Sequence, residues 1–331
     1  MIGKTLAPIL LKGLLARPGG EGPGAFELLP TSVYRPENLG AGGSMNRLWV
    51  MAALPPMVWG STYLVTTEWL PADRPLTAAV LRILPVGLLM VLLTRHRPQR
   101  AEWPRLLLIS ALCMSLLHWP LFVSAYRLPG GLAALLICTQ PLLVVVFAWL
   151  LFRQHTARQT VLGVLLGLIG VALVLVSPSR LVWDGVGIFA ATVAAVSMAL
   201  GTLLIKRWQM PIPLLAFTGW QLLLGGLLLL PLMLWYEGLP PPVSHSELGG
   251  YLYLAVLGTG LPYLLWFRAL RGLDPVFMSI LLLLSPLSAL ALGYWFLGQG
   301  LTVWQWLGAC CVFAGIVLSQ WRFGTPVAKA G

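Results

Sequence analysis

Residues 141–174, PLLVVVFAWLLFRQHTARQTVLGVLLGLIGVALV, return 145 positions later as residues 286–319, PLSALALGYWFLGQGLTVWQWLGACCVFAGIVLS. Pro141-Leu142 recurs as Pro286-Leu287, Gln154 as Gln299, Leu162-Gly163 as Leu307-Gly308, Gly170 as Gly315 and Leu173 as Leu318. Several of these identities are Gly or Pro, whose conservation between copies has backbone meaning rather than general apolar likeness. Upstream, Ala125 and Arg127 recur as Ala269 and Arg271 at an offset of 144, so the repeat extends over about 50 residues with one single-residue slip. Each copy lies in a run of five apolar segments. An odd number of crossings turns the second half upside down relative to the first, the inverted-repeat plan of secondary transporters, whose site lies between the halves near the bilayer midplane.

Composition agrees with a chain that dissolves in lipid. Mean hydropathy is +0.86, 58% of residues are hydrophobic and 9% are charged, against ~25% charged in soluble domains. A crossing needs ~20 apolar residues, and ten such segments can be marked: 48–67, 76–94, 106–126, 130–152, 159–177, 182–205, 212–236, 248–267, 275–297 and 303–321. Their runs are continuous rather than alternating, so they predict helices, in which every backbone group is paired within the segment. The expected fold is an all-α integral membrane protein of ten transmembrane helices arranged as two inverted five-helix repeats, 45–178 and 179–322, with tails at 1–44 and 323–331.

The net charge of +11 does not mark a nucleic-acid binder, because of where the charges fall. Lys4, Lys12, Arg17, Arg35, Arg47, Arg95, Arg97, Arg100, Arg105, Arg153, Arg158, Lys206, Arg207, Arg268, Arg271, Arg322 and Lys329 all lie on one side of the ten-span plan. Arg74, Arg127 and Arg180 lie opposite, and Arg82 lies inside a span. The positive-inside bias therefore predicts a multi-pass protein of a bacterial inner membrane with both termini in the cytoplasm. Residues 1–44 are rich in Gly and Pro and predict a disordered tail; Gly40-Ala41-Gly42-Gly43 before Met45 also fits translation of a ribosome-binding site, with Met45 as initiator. Most of the 15 Trp, among them Trp49, Trp69, Trp103, Trp183, Trp208, Trp235 and Trp321, fall near span ends as an interfacial belt does.

Function is sought where polar groups sit in the middle of apolar spans, because burying them there is costly. Trp59, His118, Gln140, Trp220, Gln221 and Ser285 come from five spans and share a depth near the midplane. Singly, each reads as helix glue through an interhelical hydrogen bond; together they predict a polar substrate cavity. Arg82 is the one ionised group within a span, roughly 9 Å from its outer end at 1.5 Å per residue. It either snorkels outward or meets an anionic part of a substrate. Pro141 and Pro286 occupy equivalent mid-span positions and predict paired helix breaks at the site. The repeated glycines, Gly163, Gly167, Gly170, Gly308 and Gly315, predict close helix packing.

Several chemistries are missing. All ten acidic residues fall in loops, tails or span ends, which disfavours proton antiport carried by a membrane carboxylate and a metal-pyrophosphate transferase alike. The phosphate-cradling Gly-rich loop of an ATP-driven pump is not found. Cys113, Cys138 and Cys310-Cys311 lie within spans as packing residues, no His or Cys pair has metal-ligand spacing, and no cofactor, metal or catalytic residue is expected.

With these residues placed, the chain resembles the EamA-type members of the drug/metabolite transporter superfamily over about 47–322. The resemblance rests on Trp59-Gly60-Ser61 in the first helix, Leu81-Arg82 in the second, Pro141 and Pro286 in the fourth and ninth, and the paired glycines of the fifth and tenth. Where that family often carries Gly-Glu after the fourth and ninth helices, this chain has Arg153-Gln154 and Gly298-Gln299. The resemblance implies a carrier, not an enzyme, that exports amino acids or related metabolites by alternating access. Its partners would be a small-molecule substrate and membrane lipid, with the protein a monomer or homodimer. Uptake of a metabolite remains an alternative. So does efflux of lipophilic cations, which Trp59, Trp119 and Trp220 would suit; a membrane scaffold or enzyme is the rival of another class.

Overall fold

Apolar runs of this length must pair their backbone internally, and they do so as helices. The computed structural model describes residues 43–71, 73–128, 130–175, 184–240, 242–297 and 302–320, and contains no strand among them. The first half comprises α1 (Gly43–Trp69), α2 (Pro75–Thr94), α3 (Arg100–Arg127), α4 (Gly130–Ile137), α5 (Gln140–Phe152) and α6 (Arg158–Leu175). The second comprises α7 (Gly185–Trp208), α8 (Leu214–Tyr236), α9 (His245–Gly272), α10 (Pro275–Leu281), α11 (Leu284–Leu297) and α12 (Val303–Gln320). Eight segments are long and apolar enough to cross a membrane, α4 with α5 and α10 with α11 each counting as one. Two further apolar helices, Arg158–Val174 and Val303–Ser319, are shorter. The expected tails at 1–44 and 323–331 lie outside the described residues except for Gly43 and Ser44, as does the boundary at 178/179, whereas Met45 lies within α1.

The halves repeat each other in their irregularities. A π-helical turn interrupts α3 at Ala111–Ser115 and α9 at Val256–Gly260, again 145 residues apart. The helix containing Pro141 breaks at Cys138–Thr139, and the one containing Pro286 breaks at Leu282–Leu283. A proline nitrogen cannot donate to the carbonyl four residues back, here Ile137 or Leu282, and its ring crowds that carbonyl. Tighter i→i−3 bonds take over in both halves: Thr139 N to Leu136 O at 3.2 Å, Leu282 N to Ser279 O at 3.2 Å.

Glycine sets the approach of α6 to α12. A Cβ on Gly163 would stand 2.6 Å from the Gly315 carbonyl, and one on Gly170 would stand 2.6 Å from the Gly308 carbonyl. Since 163 corresponds to 308 and 170 to 315, exchanging the halves maps one contact onto the other, which places a two-fold relation between these helices. The small residues expected to allow close packing do so. On the outward faces, Leu93, Phe189, Trp235, Trp295, Phe296 and Trp304 are exposed, as lipid-facing side chains should be.

Besides α1, which spans Gly43–Trp69 against 48–67, three helices run further than the hydropathy suggested. α3 starts at Arg100 rather than 106, α7 ends at Trp208 rather than 205, and α9 spans His245–Gly272 rather than 248–267. The extra turns carry Arg100, Arg105, Lys206, Arg207, Arg268 and Arg271, expected in loops. Polar residues extend a helix into the headgroup region when their charges find partners there. Lys206 Nζ donates to the carbonyls of Leu270, Arg271 and Leu273 at 2.9–3.1 Å, capping α9 from α7. At the opposite end Glu237, following α8, accepts from Leu76 N and Thr77 N at 2.6 and 2.8 Å, supplying the first turn of α2 with an anion.

Candidate functional site

Midway along the helices, side chains from both halves line an open-mouthed cavity of about 110 Å³. α1 contributes Trp59 and Thr62, α2 Arg82, α3 His118, the α4–α5 break Ile137, Cys138 and Gln140, α7 Met198, α9 Tyr263, and the α10–α11 break Leu282, Ser285 and Pro286. The two proline breaks thus face one space. Gly60 lets α1 reach the second break, since a Cβ there would lie 2.5 Å from the Ser285 carbonyl.

The π-turns supply anchors that a regular helix withholds. A π-turn shifts the i→i−4 ladder and leaves a carbonyl open to side chains. Gly258 O, in the turn of α9, accepts from Trp59 Nε1 at 3.1 Å and from Arg82 Nη2 at 3.0 Å. Arg82 Nε also donates to Thr259 Oγ1 at 2.7 Å. In the turn of α3, Met114 O lies 2.8 Å from His118 Nδ1. A carbonyl can only accept, so Nδ1 carries the proton and Nε2 is left with a lone pair. That nitrogen lies 3.4 Å from the Tyr263 hydroxyl. His118 and Tyr263 are 145 residues apart, the spacing of the two π-turns, and they meet between the halves.

Arg82 is 4% exposed. It does not snorkel, because its guanidinium is drawn inward to the α9 turn. Trp59 packs on Tyr263 and Trp266 with ring centroids 5.2 and 5.4 Å apart, giving the cavity an aromatic wall. Two buried polar atoms on the lining, Gln140 Nε2 and Thr62 Oγ1, have no hydrogen-bond partner in the protein. Orphaned groups of this kind are costly unless a water or guest satisfies them. Among the described residues no carboxylate lines the space, and no three His, Cys, Asp or Glu could hold a metal.

Of the residues singled out by depth, Trp59, His118, Gln140 and Ser285 line the cavity, as do Arg82 and Pro286. Three do not. Trp220 is the seventh residue of α8, so it lies near the helix start, where Nε1 donates to His96 O at 2.9 Å and the ring meets Trp103 edge-on. Its neighbour Gln221 is fully buried in the helix packing away from the cavity, and neither amide atom has a protein partner. Pro141 makes its break but is not on the lining; the residues flanking it are. Counting depth from span ends says nothing about which way a helix face points, as Gln221 shows, and Trp220 lies closer to its helix start than the count suggested. Thr62, Met198, Tyr263 and the anchors Gly258 and Thr259 were not foreseen. Carried upstream from Pro141, the repeat slips to an offset of 144 at Ala125 and Arg127, which from His118 points to Pro262, one residue short of Tyr263.

The arrangement presents hydrogen-bond donors and an aromatic face to the cavity. Comparison with known proteins agrees with a carrier. The model of the EamA-like transporter family matches residues 47–176 and again 185–321, one match in each half. Protein PecM of Dickeya dadantii is 43% identical over 267 residues, 80% of this chain and 89% of that protein. The WAT1-related protein At3g02690, chloroplastic, of Arabidopsis thaliana is 28% identical across 83% of this chain and 70% of its own length. The uncharacterized inner membrane transporter YedA of Escherichia coli is 26% identical across 82% and 90%. A solved protein crystal structure, 18% identical, superposes with a TM-score of 0.72 over 83% of this chain and 96% of its own, and shares the fold. With a family match in each half and a relative this similar along most of the chain, the protein is a multi-pass membrane transporter belonging to the EamA-like transporter family.

Proposed function

We propose that this transporter exports small zwitterionic or anionic metabolites, amino acids first, across a bacterial inner membrane by alternating access. Ten crossings, with α6 and α12 included, leave both termini on one side, and the Lys and Arg bias makes that side the cytoplasm. At 18 residues each, those two helices extend ~27 Å, close to the ~30 Å of hydrocarbon. The observation that carries the substrate class is the donor set of the cavity: the Arg82 guanidinium, the unpartnered Gln140 amide and the Thr62 hydroxyl, with no carboxylate beside them. Such a set favours a guest bearing acceptors, above all a carboxylate. A lipophilic cation suits the aromatic wall of Trp59 and Tyr263, but Arg82 opposes it. The site residues of this reading are Trp59, Thr62, Arg82, His118, Gln140, Tyr263 and Ser285. Cells overexpressing the protein are loaded with amino acids by feeding dipeptides, and the medium is assayed over time. Accelerated appearance of one or more amino acids supports the reading. Export no faster than from cells carrying an empty vector, at verified expression, removes it.

A further inference from the structure

The missing mid-span carboxylate disfavours one kind of proton carrier, but His118 offers another. Its Nδ1 proton is committed to Met114 O, so Nε2 presents a lone pair toward Tyr263 and the cavity. Other titratable groups face it from the surrounding helices. They are Arg82 from α2, Tyr263 from α9 and Cys138 from the α4–α5 break, with Cys113 one turn earlier on α3. α1 and α7 bring Trp59, Thr62 and Met198 to the lining, none of which titrates. Guanidinium stays charged throughout, and thiols and phenols ordinarily titrate well above neutrality. An imidazole is the side chain that changes charge between about pH 5 and 8.

Resting on the amino-acid reading above, we propose that His118 Nε2 binds either the ammonium of the guest or a proton, and so exchanges one for the other. The unprotonated nitrogen accepts a hydrogen bond from the guest ammonium while Arg82, Gln140 and Thr62 donate to its carboxylate. Protonation turns the acceptor into a donor and adds a second cation beside Arg82, which expels the ammonium. In one cycle a proton from the outer solution arrives on Nε2 and a zwitterion leaves outward. The empty site then returns with the proton and releases it in the cytoplasm. No bond other than N–H forms or breaks, and one positive charge moves inward per zwitterion exported.

The test uses the full chain in proteoliposomes with a labelled mixture of the twenty proteinogenic amino acids. Without a gradient, labelled and unlabelled amino acids should exchange. With the potential clamped and a one-unit pH gradient imposed, the parent should build an opposing amino-acid gradient of about tenfold, since one pH unit is 1.36 kcal/mol per proton. His118→Gln should reduce that steady-state ratio to about one, whatever its rate. A second measurement needs no variant: in weakly buffered detergent solution near pH 6, adding the mixture to the parent should release protons. A parent that exchanges amino acids yet builds no gradient, or releases no protons, overturns the proposal alone. A tenfold gradient retained by His118→Gln also overturns it. A parent that moves no amino acid removes the amino-acid reading and this proposal with it.

Discussion

Replacing Arg82 by Gln should leave the fold nearly as stable as the parent while weakening carboxylate guests far more than neutral ones. The stability side can be worked from the bonds. The guanidinium donates to Thr259 Oγ1 at 2.7 Å and Gly258 O at 3.0 Å, and hydrogen bonds from a charged group are worth about 1.5–3 kcal/mol each. The Gly258 carbonyl keeps its second donor, Trp59 Nε1, and a glutamine amide can retain one of the two bonds. The loss is then about one charged bond, roughly 1.5–3 kcal/mol. Against it stands removal of a buried charge, which costs about 2.5–3.5 kcal/mol at mid-membrane on insertion scales. The two nearly cancel, so the melting temperature in detergent should move by less than about 4 °C. Affinity has no such compensation. Loss of the charged bond to a guest carboxylate should raise its Kd by about 10- to 150-fold, at 1.4 kcal/mol per tenfold, with the corresponding amide affected a few-fold. Competition binding by paired amino acids and amino-acid amides measures the ratio. A fall in melting temperature above 10 °C, or equal weakening of acid and amide, would refute the reasoning and make Arg82 a structural strut.

Gln140→Leu should abolish most transport at near-normal protein levels, because its unpartnered amide serves a guest rather than the fold; parent-like transport would return Gln140 to helix packing. Gly315→Ala drives a methyl against the Gly163 carbonyl, 2.6 Å away, and should destabilise by about 1–3 kcal/mol; an unchanged melting temperature would show that α6 and α12 can separate without cost. Asp184 accepts from Gly187 N at 2.7 Å and pairs with Arg127 at 3.1 Å, and these bonds hold its carboxyl below the usual carboxylate range. A depressed folded-state value means that its cap stabilises α7 above the ordinary carboxylate value, and that this contribution fades as pH falls through the depressed one. Asp184→Asn should therefore be less stable than the parent at pH 7 and draw level only once the pH falls below the depressed value; a gap independent of pH would contradict the assignment.

The sequence made the duplicated helical plan legible because repeated Gly and Pro mark places where the backbone itself is constrained. Pro141 and Pro286 located both helix breaks, and the glycines located the α6–α12 contact. Helix ends were less legible, since Lys206 continues α7 by capping α9, a partner 64 residues away that hydropathy cannot register. At the site, depth selected Trp59, His118, Gln140 and Ser285 correctly as neighbours but could not separate Gln221 from them, because facing is fixed by packing between helices. The π-turns left no obvious mark: Ala111–Ser115 and Val256–Gly260 share only Leu112 with Leu257, although their spacing keeps the repeat offset.

Alternating access between inverted halves makes one demand that no static gate or scaffold shares: the same cavity residue must face each side of the membrane in turn. Ser285 lines the cavity, and Ser285→Cys in a background lacking Cys113, Cys138, Cys310 and Cys311 places a small reporter there. Right-side-out and inside-out vesicles are treated with a membrane-impermeant thiol reagent, with and without the amino-acid mixture. Labelling from both faces, slowed by the mixture in each case, is the result expected. Labelling from one face alone, unchanged by amino acids, would contradict the carrier mechanism.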